Sequence, residues 1–162
     1  MLTLHSAPPC RHLEPGGWLE IQDQELVAYS DDGTLEPGAP MIRMFDVVRL
    51  VKQIERNWGA DNHTLVLKDF LKAAGFERIE MRMCRKVPWS PWPRNSNRKK
   101  YWGNCNAVSL DTFLHSAHNL LDEGGVAPDD IPVIIDGTRR TLIDQSQHPY
   151  SKFCVWTAQK PL

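Results

Sequence analysis

The stretch "RHLEPGGWLEIQD", residues 11–23, decides how this chain is read. A helix ending over residues 10–13 would be stopped by Pro15, which lacks an amide hydrogen, and by Gly16-Gly17, which accept the left-handed conformations of a tight turn. From Trp18 to Asp23 the period changes to two, with Leu19 and Ile21 on one face and Glu20 and Gln22 on the other. Helix end, tight turn and strand in that order form a junction typical of α/β proteins.

Next along the chain, "YSDDGTLEPGAP" (29–40) concentrates turn formers and reads as a loop. Met44, Val47, Val48, Val51, Ile54 and Trp58 recur at helical spacing and predict a helix over 41–58, ended by Gly59. A second helix is expected over 64–74, with Gly75 at its left-handed cap. From Phe76 to Cys84 the period is two again. Ile79, Met81 and Met83 face one way and Arg78, Glu80 and Arg82 the other, a pattern suited to a sheet edge. A Pro/Trp segment (87–103) then leads to helices expected at 110–122 and 129–144. In "SKFCVWTAQKP" both faces are apolar, so residues 152–159 should form an interior strand. The result is an α/β fold with a mixed sheet ordered 18–23, 152–159, 78–85 and helices on its faces, in one domain over 10–162 after a poorly specified segment 1–9.

Composition narrows the function classes. The 162 residues are 41% hydrophobic and 24% charged, with net charge -1, so no global electrostatic footprint points to nucleic acid or an anionic membrane. Cys10, Cys84, Cys105 and Cys154 are widely spaced and follow no signal peptide, which suggests thiols and a cytoplasmic or nuclear protein. The sequon Asn62-His63-Thr64 is then a chance match. No apolar run approaches the ~20 residues of a membrane span.

Three chemistries bear on the residue pattern. His115 and His118 could share a helix face, but no paired metal-ligand spacing accompanies them, so no metal site is expected. In "RKVPWSPWPRNSNRKKYWG" (85–103), cations alternate with Trp89, Trp92, Tyr101 and Trp102. Such a segment could stack bases, yet tryptophans packed inward with solvated cations is the preferred reading, and no nucleic-acid partner is expected. No G-x-S-x-G elbow or cysteine signature marks a nucleophile, and Asp31-Asp32 and Asp129-Asp130 read as turn and capping residues. Gly16-Gly17 precedes a strand, whereas a dinucleotide glycine loop follows one.

"RHLEPGGWLEIQD" and "YSDDGTL", then "LKDFLKAAGFERIEM", "VPWSPWPRNSNRKKYWG" and "HPYSKFCVWTAQKP", taken in order, resemble the C-terminal half of fungal LaeA-like class I S-adenosylmethionine-dependent methyltransferases of secondary metabolism. The resemblance implies a partial Rossmann-like fold. Residues 18–23 would be the fifth strand, 78–85 the sixth and 152–159 an antiparallel seventh inserted between them, while the helices at 110–144 would cover a small-molecule substrate pocket. Carried over by position, the pocket candidates are Gln22, Asp23, Tyr29, Trp92 and Tyr150.

The family holds S-adenosylmethionine with a glycine-rich loop after its first strand and an acidic residue ending its second. Only "MLTLHSAPPC" precedes Arg11 and it contains neither, so the expectation is a truncated form, lacking the first four strands and no cofactor binder on its own. It would then be inactive alone. Strand 18–23 would have an unpaired edge, where each unsatisfied buried group costs about 1–3 kcal/mol, favouring self-association or a protein partner. The alternative is a noncatalytic methyltransferase-like interaction module acting through such a partner.

Overall fold

The computed structural model describes residues 12–56 and 63–162. They form two compact units. The first comprises residues 12–25, 63–85 and 153–162, and the second residues 26–56 and 86–152.

β1 (Trp18–Gln24), β2 (Glu77–Pro88) and β3 (Tyr150–Gln159) form a three-stranded sheet in the order β1-β3-β2, and most of their residues belong to the first unit. The strand with two apolar faces therefore lies in the centre, as its composition predicts, and the charged β2 lies at an edge. β1 and β3 run antiparallel, with Trp18 opposite Gln159 and Gln24 opposite Phe153. Adjacent side chains on β3 point to opposite faces, and Val155 and Trp156 are both buried, so neither face is left to solvent.

The Pro15-Gly16-Gly17 turn is tied to the far end of β3. Gly16 N–H donates to the Lys160 carbonyl at 3.0 Å, Lys160 N–H to Gly17 O at 2.8 Å, and the Gln159 amide to Gly16 O at 2.8 Å. Gly16 has φ +78°, a conformation glycine adopts without steric cost. Of the helix expected before this turn, Cys10 and Arg11 lie outside the described residues.

Helix α2 (His63–Ala73) ends close to the expected position. Gly75, at φ +84°, donates to Lys72 O, and Phe76 N–H reaches back to Leu71 O at 3.0 Å. These paired bonds are a Schellman cap, satisfying carbonyls that the helix end would otherwise leave open. Phe76 is buried with Leu71 and Ala158, and Leu13, Leu19, Ile21, Leu67 and Ile79 pack against this cluster. Met81, on the same face as Ile79 by alternation, is 48% exposed. An edge strand of a small sheet need not be covered along its whole length, and alternation reports the face without reporting what covers it. β2 also runs on to Pro88, beyond the expected end at residue 85.

The second unit contains helices α1 (Pro40–Arg56), α3 (Asn97–Leu114), α4 (Ala117–Glu123) and α5 (Asp130–Ile143). Its core joins Met41, Met44, Phe45 and Val48 of α1 to Leu110, Leu114, Leu121, Ile131 and Ile134. Full burial of such side chains stabilises by roughly 1.5–3 kcal/mol each before conformational entropy is charged. The expected end of α1 at Trp58 lies outside the described residues.

The larger correction concerns α3, which starts at Asn97, thirteen residues before the expected Leu110. The Ser96 hydroxyl accepts the Lys99 N–H at 3.3 Å as an N-cap. Among this helix's eighteen residues the buried ones are Gly103, Leu110 and Leu114, so its first half lacks the apolar period that marks a helix. The helix expected over 110–122 is also split at His115-Ser116.

Close contact explains two glycines. A Cβ on Gly103 would stand 2.2 Å from Ser90 O, and one on Gly137, midway along α5, 2.4 Å from Pro40 Cγ. Gly137 is thus a packing residue at the crossing of α1 and α5 rather than a helix breaker. Pro132 lies in the first turn of α5, where a missing amide hydrogen breaks no helical bond.

Candidate functional site

The second unit gathers a cluster of ionisable and aromatic side chains around residues 29–34 and 148–152. After α5 ends, the Asp144 carboxylate accepts Ser146 N–H at 2.9 Å and Ser146 Oγ at 2.6 Å, a local turn that leads into His148. Pro149 disfavours helical backbone at His148. The Pro149 carbonyl accepts both Trp89 N–H (3.0 Å) and Trp92 Nε1–H (2.9 Å). Tyr29 and Tyr150 then exchange two backbone hydrogen bonds, at 2.8 and 2.9 Å, and their rings stack with centroids 5.5 Å apart.

This pairing aligns two acidic hubs with their donors. Asp31 accepts the Tyr150 hydroxyl at 2.6 Å and forms an ion pair with Lys86, whose ammonium also lies 4.8 Å from the Tyr150 ring centroid. Asp32 Oδ1 accepts Thr34 Oγ1 (2.7 Å), Ser30 Oγ (2.9 Å) and Thr34 N–H (3.2 Å), while Oδ2 meets His148 Nδ1 at 2.5 Å. Thr34 Oγ1 in turn accepts His148 N–H at 2.9 Å. The His148 ring lies 4.7 Å from Trp92, and the Lys152 ammonium 4.5 Å from the Tyr29 centroid.

The donors set the protonation states. Lys86 first, then the Tyr150 hydroxyl, hold the Asp31 carboxyl below the usual carboxylate range. The His148, Thr34 and Ser30 donors hold Asp32 lower still. Asp31 raises Lys86, while burial and the Asp31 bond raise the Tyr150 phenol, so at neutral pH the lysine is charged and the phenol protonated. Both aspartates therefore act as hydrogen-bond acceptors only.

Of the candidates taken from the sequence, Tyr29, Trp92 and Tyr150 fall within this cluster. Gln22 and Asp23 belong to the first unit, on β1, where the exposed Gln22 donates to Glu20 at 2.7 Å. Sequence reasoning passed over Asp31, Asp32, Lys86, His148 and Lys152. It read the "SDDGT" aspartates as turn residues, which is true of Asp32 toward Ser30 and Thr34, but Lys86, His148 and Tyr150 lie more than fifty residues away in the chain.

In the basic-aromatic segment the tryptophans face inward. Trp89 is buried against Phe45 with Nε1 donating to Val27 O at 3.2 Å, and Trp102 is half-buried beneath the Arg98 guanidinium at 5.0 Å. Tyr101 is exposed. His115 Nδ1 is engaged by its own helix at Asp111 O, 2.8 Å away, and among the described residues no three metal-ligating side chains converge. No helix among them is long and apolar enough to cross a membrane.

A nucleotide-type cofactor cradle requires amide donors at a tight glycine turn between strand and helix. Between β1 and α1, Gly33 and Gly38 lie in open surroundings, Thr34 N–H is consumed by Asp32, and α1 opens on Pro40, which has no N–H to offer. The segment between β1 and α1 therefore does not form such a cradle.

Comparison with known proteins places the chain's likeness among fungal methyltransferases. It is 30% identical over 155 residues to Methyltransferase pytC of Aspergillus terreus, covering 93% of this chain and 46% of that protein. It is 27% identical over 152 residues to Probable methyltransferase tdiE of Emericella nidulans, covering 92% and 46%. The chain thus spans about half the length of the curated relatives it matches. No protein-family model and no solved structure matches it.

Proposed function

We propose that this chain is the acceptor-side portion of a class I, LaeA-like methyltransferase that uses S-adenosylmethionine and modifies a small molecule of fungal secondary metabolism. The observation that carries the reading is the likeness to fungal methyltransferases along 93% of the chain. The sheet order β1-β3-β2, with β3 antiparallel to β1, supports it as the arrangement expected for the fifth, seventh and sixth strands of such a fold. In this reading Tyr29, Trp92 and Tyr150 face the acceptor, and Gln22 and Asp23 sit at the end of the fifth strand. The methyl donor would be held by residues other than the described ones.

The test joins the chain to the N-terminal half of the Aspergillus terreus relative and compares the fusion with the chain alone. Calorimetry should show S-adenosylmethionine binding to the fusion and none to the chain. Labelled methyl groups should appear in small-molecule extracts incubated with the fusion. A folded fusion that binds no S-adenosylmethionine would sink the proposal, and tight binding by the chain alone would overturn the division of labour.

A further inference from the structure

We infer that the outward face of α3 is a helix-pairing surface on which a second copy of this chain docks antiparallel. The helix has two faces of different kinds. Gly103, Leu110 and Leu114 are buried on one side. By helical spacing Tyr101, Cys105, Val108 and Thr112 lie on the other, and all four are exposed, Tyr101 at 66% and Val108 at 69%. Their separations of four, three and four residues are those of the seam along which two helices interlock side chains. The outward face of a surface helix is ordinarily polar, and scattered exposed apolar residues need no partner. Here two large ones stand two turns apart on one line, with a thiol between them.

Charge selects the occupant. Arg94, Arg98, Lys99 and Lys100 are exposed around the start of α3, where the positive end of the helix dipole already disfavours cations. Among the described residues none of them has an ion-pair partner; Arg98 only stacks on Trp102. Past the other end of α3, α4 carries Asp122 and Glu123, both exposed and equally without an ion-pair partner among the described residues. The α3–α4 segment is thus positive at its start and negative at its end. A parallel copy would set like charges together, whereas an antiparallel copy sets each end against its opposite. In that arrangement the seam matches itself: Tyr101 faces Thr112 of the second copy and Cys105 faces its Val108, so the largest side chain meets a small one. One patch serves both copies, as two-fold symmetry requires. A seam about three turns long falls short of the roughly 1,200–2,000 Å² buried by stable complexes, so the dimer is reversible. The contact lies within the second unit, leaves β1 aside and does not depend on the methyltransferase reading.

Two measurements on the full chain test it. Sedimentation velocity over about 1–100 µM should show a monomer–dimer equilibrium, and Val108→Glu, which puts a charge into the seam, should raise the dissociation constant about tenfold or more. Disulfide trapping reads the register. With Cys10→Ser and Cys84→Ser throughout, a chain retaining Cys105 is mixed with one carrying Cys105→Ser and Val108→Cys; oxidation should link the two. A partner carrying Cys105→Ser and Ile143→Cys, at a position 79% exposed on α5, should not be linked. Positions 108 and 143 are both exposed, so neither substitution disturbs the core. A monomer over the whole range with no linked dimer, a dimer indifferent to Val108→Glu, or equal trapping at 108 and 143 overturns the inference.

Discussion

Replacing Gly103 by alanine opposes two effects of known sign. Alanine is the better helix former by about 1 kcal/mol, so propensity alone makes Gly103→Ala stabilising. The added Cβ would lie 2.2 Å from Ser90 O, 2.6 Å from Ser90 C and 3.0 Å from Pro91 Cα, all backbone atoms that no rotamer change can clear. Carbon–oxygen contacts close at roughly 3.3 Å, so helix and strand end must separate by about 1 Å. Overpacking on that scale costs about 1–3 kcal/mol. At the upper end, which a backbone clash warrants, net destabilisation is about 2 kcal/mol and Tm falls by about 4–8 °C for a chain of this size. Thermal unfolding followed by circular dichroism measures it. An unchanged or raised Tm with intact helicity would refute the claim that α3 packs directly on the Ser90-Pro91 backbone.

Three further outcomes are expected. Gly75→Ala, in open space at φ +84°, should cost about 1 kcal/mol in urea unfolding through backbone strain alone, and Gly75→Asn less. Trp89→Ala removes a buried indole packed on Phe45 and its bond to Val27 O, and should cost about 3–5 kcal/mol, read from the same denaturation midpoint shift. The third concerns pH. The depressed Asp31 and Asp32 stabilise above their unfolded pKa of about 3.9 and lose that contribution as pH falls through their lower folded values; the raised Lys86 and Tyr150 stabilise below about 10 and lose it as pH rises through their higher ones. Amide exchange at Thr34, His148 and Tyr150 should therefore be slowest, relative to each amide's intrinsic rate, between these limits, and protection persisting well below pH 2 would contradict the assignment.

The sheet was legible because each strand carries its own label. Alternating charge on β2 marks an edge, continuous apolar content in "FCVWTA" marks the centre, and Pro-Gly-Gly fixes where β1 begins. Helix α3 was not, because its first two turns carry Arg98, Lys99, Lys100 and an exposed Tyr101, and a helix held by one capping serine and one buried glycine shows little period. The cluster was half legible. Tyr29, Trp92 and Tyr150 could be placed, but His148 and Asp32 are ordinary loop residues until 116 positions of chain fold back to join them. Local pattern encodes which face a residue takes, and not which distant side chain it will meet.

The position of β3 has a consequence for how the protein is made. β1 and β2 flank it without being neighbours, so the strand each needs is the last of the three to leave the ribosome. Until Tyr150–Gln159 has been synthesised, β1 has waited through more than a hundred residues, and β2 through some sixty, for the partner each has in β3. At about 5–20 residues per second these are intervals of several seconds or more, long compared with the microseconds a hairpin needs to form. During that time the helices of the second unit can pack while this pairing cannot form, and the nascent chain is most open to chaperones and to mispairing at β1 and β2.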